Sequence, residues 1–298
     1  MPLRKLFSKK ESSHKLGITL RQNSLTYCYM PEQGSGICQK ADLLAGSYVN
    51  SLASLKSNHG LEEGQCHLVL SAQQSQIVQI EKPKVPDNEI HAALKWQVKD
   101  LVNYSPDNMV LDYYDGPESA GGAEKINVVC AAKSDLKEMV EQLINDGFSV
   151  KSIITEEFAF AGLLPVQDGA CLLICQQPNE EILLLIVKQG QLYFFRRLRG
   201  FMQIGTKSEE ELSMGIMDAL SLEVQRSTDY FERQLKQAPI HSIKIIVPIK
   251  NETFLARKLA ENTNVAVELL SLPDGYEEQR EFAAAIGATR THFVESNT

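Results

Sequence analysis

No apolar run in this 298-residue chain approaches the roughly 20 residues that a transmembrane helix needs. The longest, Ile182 to Val187, has the length of a strand. A basic excess is also missing. The formal net charge is −8, whereas non-specific nucleic-acid binding needs a cationic surface to displace phosphate counterions, so no nucleic-acid partner is expected. The basic N-terminus is not followed by an apolar stretch. No signal peptide is therefore expected, and the expected location is the cytoplasm.

Chemistry-bearing clusters are equally scarce. Cys28, Cys38, Cys66, Cys130, Cys171 and Cys175 are scattered, and no histidine pair matches them as metal ligands. All six read as reduced cysteines of a reducing compartment, and no metal is expected. The loops GxGxxG and GxxxxGKS/T are absent, as is a GxSxG elbow. Gly34-Ser35-Gly36 reads as a plain turn. The carboxylate pairs Glu62-Glu63, Glu156-Glu157 and Glu277-Glu278 are adjacent in sequence. Neighbouring helix residues do not converge, so these read as solvated faces. His67 and His241 border strands and read as surface or packed residues. No catalytic residue emerges.

What remains is an ordinary globular composition, 43% apolar and 23% charged. The length favours two lobes. Charge is uneven: residues 1–15 hold Arg4, Lys5, Lys9, Lys10 and Lys15 against Glu11, an excess of +4 that leaves about −12 on the remainder. Leu3, Leu6 and Phe7 interleave with those charges. Two readings stay open, a solvated tail or an arm that touches an anionic bilayer.

Leu16–Thr19 and Leu25–Met30 read as strands around a polar turn. Ala41–Ser57 carries apolar residues at helical spacing, and a buried-type strand follows at Cys66–Leu70. From Glu81 the order is helix (88–102, with Asp87 as N-cap), strand (Met109–Tyr114), strand (Ile126–Ala132), helix (135–146) and strand (Ser149–Ile154), a small α+β unit. Glu156–Leu164 is a helix closed by Pro165. Three successive strands, Ala170–Cys175, Ile182–Val187 and Gln191–Leu198, open a second lobe. A long helical stretch follows at Glu209–Lys236, with a break expected near Ser221. Alternating strands and helices complete the chain, ending with helix Glu277–Ile286. The paired openings at 16–30 and 170–198 hint at duplication.

Three blocks carry a resemblance. The first is Val85 to Tyr113, with Val85-Pro86, Glu89, Trp96, Pro106, Asp112 and Tyr113. The second is Thr155-Glu156-Glu157-Phe158-Ala159-Phe160-Ala161. The third is Leu222 to Phe231, containing Glu223, Arg226 and Ser227. Together they resemble the PilM family of type IV pilus assembly. The resemblance covers most of the chain after residue 15. It implies an actin-like (ribonuclease-H-like) two-lobed α/β fold with an inserted α+β subdomain. The boundaries read as an arm at 1–15, a first lobe at 16–80 and 153–167, an insert at 81–152 and a second lobe at 168–294.

The departures from that family carry the functional expectation. Where its first phosphate turn reads D-I-G-S-S-S-V-K, this chain has Ile18-Thr19-Leu20-Arg21-Gln22-Asn23-Ser24-Leu25: Thr19 or a neighbour stands at the Asp position, and the Gly and terminal Lys are missing. Where the second reads D-I-G-A, it has Ile174-Cys175-Gln176-Gln177-Pro178-Asn179, without Gly. Where the adenosine turn reads S-G-G, it has Val247-Pro248-Ile249-Lys250-Asn251, again without Gly. Glycine lets backbone amides approach phosphate, and proline removes an amide. Thr19, Asn23, Gln176, Gln177, Glu223, Arg226, Ser227 and Pro248 therefore read as positions of a degenerate nucleotide site, and no cofactor is expected. The resemblance implies a scaffold of an MSHA-type pilus platform, peripheral to the inner membrane. Its partners would be the cytoplasmic N-terminus of a PilN-like single-pass membrane protein and other platform proteins. Trp96, Tyr104, Tyr113 and Tyr114 are the candidate partner-binding residues, with core packing as the other role for Trp96. Competing readings are an active actin-fold ATPase and a GspL-like component of type II secretion. The first wants intact Gly turns and an Asp base. The second normally carries a transmembrane helix.

Overall fold

The computed structural model describes residues 14–33, 36–59, 61, 63–117 and 124–290. The basic arm up to residue 13 lies outside them, as do Gly34, Ser35 and most of the Gly-rich turn after Pro117. In chain order the first half runs β1 (Lys15–Leu20), β2 (Ser24–Met30), β3 (Ile37–Asp42), α1 (Tyr48–His59) and β4 (Gln65–Leu70). Next come β5 (Ser75–Glu81), α2 (Asp87–Val98), β6 (Met109–Asp115) and β7 (Lys125–Ala132). The half closes with α3 (Lys133–Asn145), β8 (Ser149–Thr155) and α4 (Glu156–Ala161). The second half runs β9 (Cys171–Cys175), β10 (Ile182–Lys188), β11 (Gln191–Leu198), α5 (Glu209–Glu211), α6 (Met217–Asp229), β12 (Ser242–Ile246), α7 (Glu252–Glu261), β13 (Ala266–Leu269) and α8 (Ala283–Ala288).

Each half builds the same sheet. The orders are β3-β2-β1-β4-β8 and β11-β10-β9-β12-β13. In both, three antiparallel strands continue into two parallel ones. The duplication hinted at by the sequence is thus present in the topology. The second sheet is covered on both faces, which explains its near-continuous apolar strands. Leu172, Ile174, Leu184 and Ile186 pack with Leu220, Val224 and Leu255 of α6 and α7. Leu173, Cys175, Leu183 and Leu185 pack with Ala159, Phe160, Ala285 and Ile286 of α4 and α8. α4 leaves the first half to lie on the second sheet, while α8 returns from the second half to lie on β1. The halves exchange helices. Every residue of α8 is buried, and all but Ile286 are alanine or glycine, because a backbone must lie close on either side.

Several boundaries differ from those read in the sequence. β5 pairs with β7 in a separate three-stranded sheet, ordered β5-β7-β6, so the small subdomain begins near Ser75 and not at residue 81. Its core is Ile90, Leu94, Val98, Met109, Ile126 and Val128. α3 buries Leu136, Met139 and Leu143 with Leu52 and Leu55 of α1 in the first lobe, and β8 pairs with β4. The stretch from α3 to β8 therefore belongs to the first lobe, and 152 is not the end of the insert. Alternation and periodicity locate elements but do not say which sheet they join.

The helix expected from Ala41 starts only at Tyr48, after a turn in which Ala45 and Gly46 have φ of 52° and 69°. Residues 37–42 form a polar edge strand that the apolar pattern did not reveal. That strand sets Cys38 directly opposite Cys28, and the two are joined as a disulfide. The other four cysteines are buried free thiols. Asp87 is the first residue of α2, with Pro86 at the cap position. The long helical stretch after Glu209 breaks at Met214-Gly215, where Gly215 has φ of 101°, and not at Ser221. The last helix is shorter than expected: a 3-10 turn at Arg280–Phe282 precedes α8.

Candidate functional site

The strands of both sheets direct two hairpin turns at one cleft. The β1–β2 turn comes from the first half and the β9–β10 turn from the second. Arg21 crosses between them. Its guanidinium donates to the Pro178 carbonyl, and its Nε lies 3.4 Å from Glu180 Oε1. The residue is 8% exposed. Its own carbonyl accepts from the Tyr48 hydroxyl. A side chain of this chain therefore spans the gap between the turns.

Behind Arg21 lies a second set of contacts. Arg197 on β11 pairs with Glu156 at 2.5 Å and with Glu157 at 2.7 Å. Gln177 donates to the other oxygen of Glu156 at 2.9 Å. Both carboxylates are buried, which corrects their reading as a solvated face. They open the short helix α4, and the long arginine side chain reaches both although neighbouring positions diverge. Burial pushes the Glu156 carboxyl up to about 7; Arg197 opposes this, and the nearby carboxylates of Glu157 and Glu180 add to it. Burial works against the charge of Arg197, but Glu156 and Glu157 more than offset it. Burial likewise raises Glu180, against the pull of Arg21 and Arg197.

Three of the turn amides are occupied. Arg21 N–H donates to the Ser24 carbonyl at 2.9 Å, Gln176 N–H to Ile246 at 3.1 Å and Glu180 N–H to Gln177 at 3.1 Å. Gln176 Nε2 closes its own loop through the carbonyls of Glu180 at 2.6 Å and Phe201 at 3.1 Å. The third turn, after β12, is sealed as well. Val247 N–H donates to the Glu252 carboxylate at 2.7 Å. Arg280 pairs with that same carboxylate at 2.6 Å and donates to the carbonyls of Leu270 and Ile245.

A phosphate chain would need free amides and a cation facing it. Here the cation is held by a carboxylate, and three carboxylates lie around it, a charge distribution that opposes a phosphate chain. Thr19 faces the interior, fully buried, and its hydroxyl has no hydrogen-bond partner. Asn23 is exposed and Pro248 half-buried. Glu223, Arg226 and Ser227 sit on α6. Glu223 pairs with Arg226 at 2.7 Å and with Arg196 at 3.0 Å, and Ser227 donates to the Glu223 carbonyl at 2.8 Å. Arg196 and Arg197 are consecutive on β11 and point to opposite faces of the sheet. The α6 trio is thus tied to the face away from Arg197. Sequence reading missed Arg21, Glu180, Arg197 and the Glu252–Arg280 pair. The available signal was a cation in the first turn with an acid in the facing turn.

The four candidate partner residues do not form one patch. Trp96 stands out of α2 at 66% exposure, with Lys99 Nζ 5.6 Å from its ring centre, so it is not core. Tyr113 is half-buried and meets His91 edge-on at 5.6 Å. Tyr104 donates to the Gln74 carbonyl at 3.3 Å, bracing the entry to β5. Tyr114 packs edge-on against Phe158 of α4 at 4.9 Å, and its buried hydroxyl has no hydrogen-bond partner among the described residues. It is a strut from the insert to the helix that carries Glu156 and Glu157.

Comparison with known proteins places this geometry. No protein-family model matches the sequence, and no curated protein does. Solved structures do match. A chain of a PilM–PilN type IV pilus biogenesis complex is 16% identical, with a TM-score of 0.64 over 92% of this chain and 97% of that one. The cytoplasmic domain of EpsL, an inner membrane component of the type II secretion system of Vibrio cholerae, is 14% identical, with a TM-score of 0.50 over 84% of this chain and 94% of that one. A Bacteroides thetaiotaomicron protein of unknown function with an actin-like ATPase fold is 9% identical, with a TM-score of 0.53 over 93% and 96%. Among the described residues no helix is long and apolar enough to cross a membrane. The chain has the actin-like fold, two five-stranded α/β halves with a small antiparallel subdomain inserted in the first.

Proposed function

We propose that this chain is a non-catalytic scaffold of a type IV pilus platform, an actin-like body that keeps its shape without nucleotide. The observation that carries the reading is Arg21 standing between the two hairpin turns and bound to both Pro178 and Glu180. An active ATPase needs that space open. The similarity to a chain solved as a PilM–PilN complex supports a PilN-like partner, whose short cytoplasmic tail would dock beside the insert. Trp96 is the exposed aromatic anchor there. The loss of the nucleotide turns favours the MSHA-pilus branch, whose member at this place is MshI. The location is the cytoplasmic face of the inner membrane. The acidic bulk is repelled by anionic lipid, and the basic residues near the N-terminus contribute at most a few kcal/mol at about 1 kcal/mol each.

The test is co-expression with a PilN-like single-pass membrane protein, followed by truncation of that protein's first dozen or so residues. The scaffold should fractionate with membranes before the truncation and lose them after it. Persistent membrane association, or none at the outset, contradicts recruitment by the tail. The similarity to EpsL supports a type II secretion platform as a second reading. Capture by that system's membrane proteins in place of a PilN-like one would select it.

A further inference from the structure

Five charged side chains meet where the two halves close, and every ion pair among them joins one half to the other. Arg21 belongs to the first half, and its partner Glu180 to the second. Glu156 and Glu157 leave the first half on α4, and their partner Arg197 belongs to the second. The neutral contact behaves alike: Gln177 of the second half donates to Glu156. The count does not balance, since three carboxylates face two guanidiniums. In water the surplus would be screened. Here Glu156 and Glu157 are 2% and 3% exposed, so it is not.

We propose that this cluster is an acid-tightened latch between the halves: a proton on the Glu156 carboxyl supplies the charge balance that the two arginines do not, and deprotonation loosens the closure. The inference rests on the reading that no nucleotide occupies the cleft. In the proton-loaded state Arg197 keeps its pair with Glu157, Arg21 keeps Glu180, and Glu156 is a neutral hydrogen-bonding partner for Gln177. In the deprotonated state the two buried carboxylates Glu156 and Glu157 and the half-buried Glu180 repel one another at the seam.

The groups that face Glu156 come from four parts of the fold. Arg197 comes from β11, Glu157 from α4 itself, Gln177 and Glu180 from the β9–β10 turn, and the buried Cys175 thiol from β9. Burial raises that thiol well above its ordinary range, so it stays neutral. Tyr114 of β6 reaches the cluster through Glu157, and its phenol is also pushed up by burial, so it adds no charge. Burial pushes the closed-state value of Glu156 up to about 7 from an ordinary 4.5. When the halves part, the carboxylate is hydrated and returns toward the ordinary value. Between those two values the closed form holds a proton that the open form releases. Linkage then gives the sign: this group's contribution is fully present below 4.5 and is lost as pH rises through 7.

The test compares the full chain with Glu156→Gln, which has the neutral shape at every pH. Urea midpoints are measured from pH 4.5 to 8, and the radius of gyration by small-angle scattering at both ends. The wild type should lose stability relative to Glu156→Gln as pH rises, and should expand at pH 8 where the variant does not. Parallel profiles and equal radii overturn the proposal. His67 titrates with the opposite sign in an overlapping range, but it is common to both proteins and cancels in their difference. If Glu156→Gln does not fold, Glu180→Gln serves. Removing one of the repelling carboxylates should move the pH-dependent window downward, and an unmoved window overturns the latch. A Mg-ATP titration of the same samples separates the two ideas. Nucleotide binding with the expected pH difference rejects the nucleotide-free reading and keeps the latch. No binding with parallel profiles rejects the latch alone.

Discussion

Gly287 lies so close to Ala159 that a β-carbon on it would stand 1.9 Å from the Ala159 carbonyl oxygen. The same relationship recurs between Gly17 of β1 and the Ala285 carbonyl, also at 1.9 Å. One contact presses α8 onto α4, and the other presses α8 onto the first sheet. The two glycines set how closely the halves can exchange helices. Gly17→Ala or Gly287→Ala should each cost roughly 1–3 kcal/mol or more, since backbone cannot yield as a flexible side chain would. Denaturant midpoints check this, and unchanged midpoints contradict the packing.

Tyr114 separates its ring from its hydroxyl. The ring fills the junction with Phe158, while the hydroxyl is buried without a hydrogen-bond partner among the described residues. Tyr114→Phe should be neutral or stabilising by up to about 1 kcal/mol, because an unsatisfied buried polar group is removed. Tyr114→Ala should cost roughly 3–5 kcal/mol by leaving a cavity. Urea unfolding of the two variants decides the matter, and equal losses would mean that the hydroxyl has an essential partner.

Trp96 should behave in the opposite way. At 66% exposure its removal opens no cavity. Trp96→Ala is expected to leave stability within about 0.5 kcal/mol while reducing capture of the PilN-like tail at least tenfold. Titration of a labelled tail peptide reads the affinity. Unchanged affinity would remove Trp96 from the docking surface.

His67 gives a second pH signature. Burial, with Lys15 and Lys151 adding to it, pushes its value down to about 4 from an ordinary 6.5. The folded state holds the ring neutral, donating to or accepting from Ser152 at 2.8 Å. Its contribution is fully present above 6.5 and is lost as pH falls toward 4. Ring-proton NMR titration should place the transition near 4. A transition near 6.5 would mean that the ring is hydrated.

The fold was largely legible because it is written in strand-length apolar runs. Ile182–Val187 reads as a strand, and it is one, buried on both faces. Sheet membership was not legible. Ser75–Glu81 and Ser149–Thr155 carry ordinary alternation, and nothing in that pattern says that the first joins the insert and the second the main sheet. The site was legible only as a loss. The missing glycines of the two phosphate turns could be read from the chain. That Arg21 reaches Glu180, and Arg197 reaches Glu156, depends on contacts across 159 and 41 residues, respectively. The polar strand at Ile37–Asp42, and with it the Cys28–Cys38 pairing, fell below the apolar threshold for the same local reason.

Calorimetric titration of the full chain with Mg-ATP tests most directly whether the cleft is closed by its own side chains. With Arg21 held between Pro178 and Glu180, no saturable heat is predicted up to millimolar ligand. A sub-millimolar isotherm would show that Arg21 yields the space to nucleotide, and would contradict the scaffold reading.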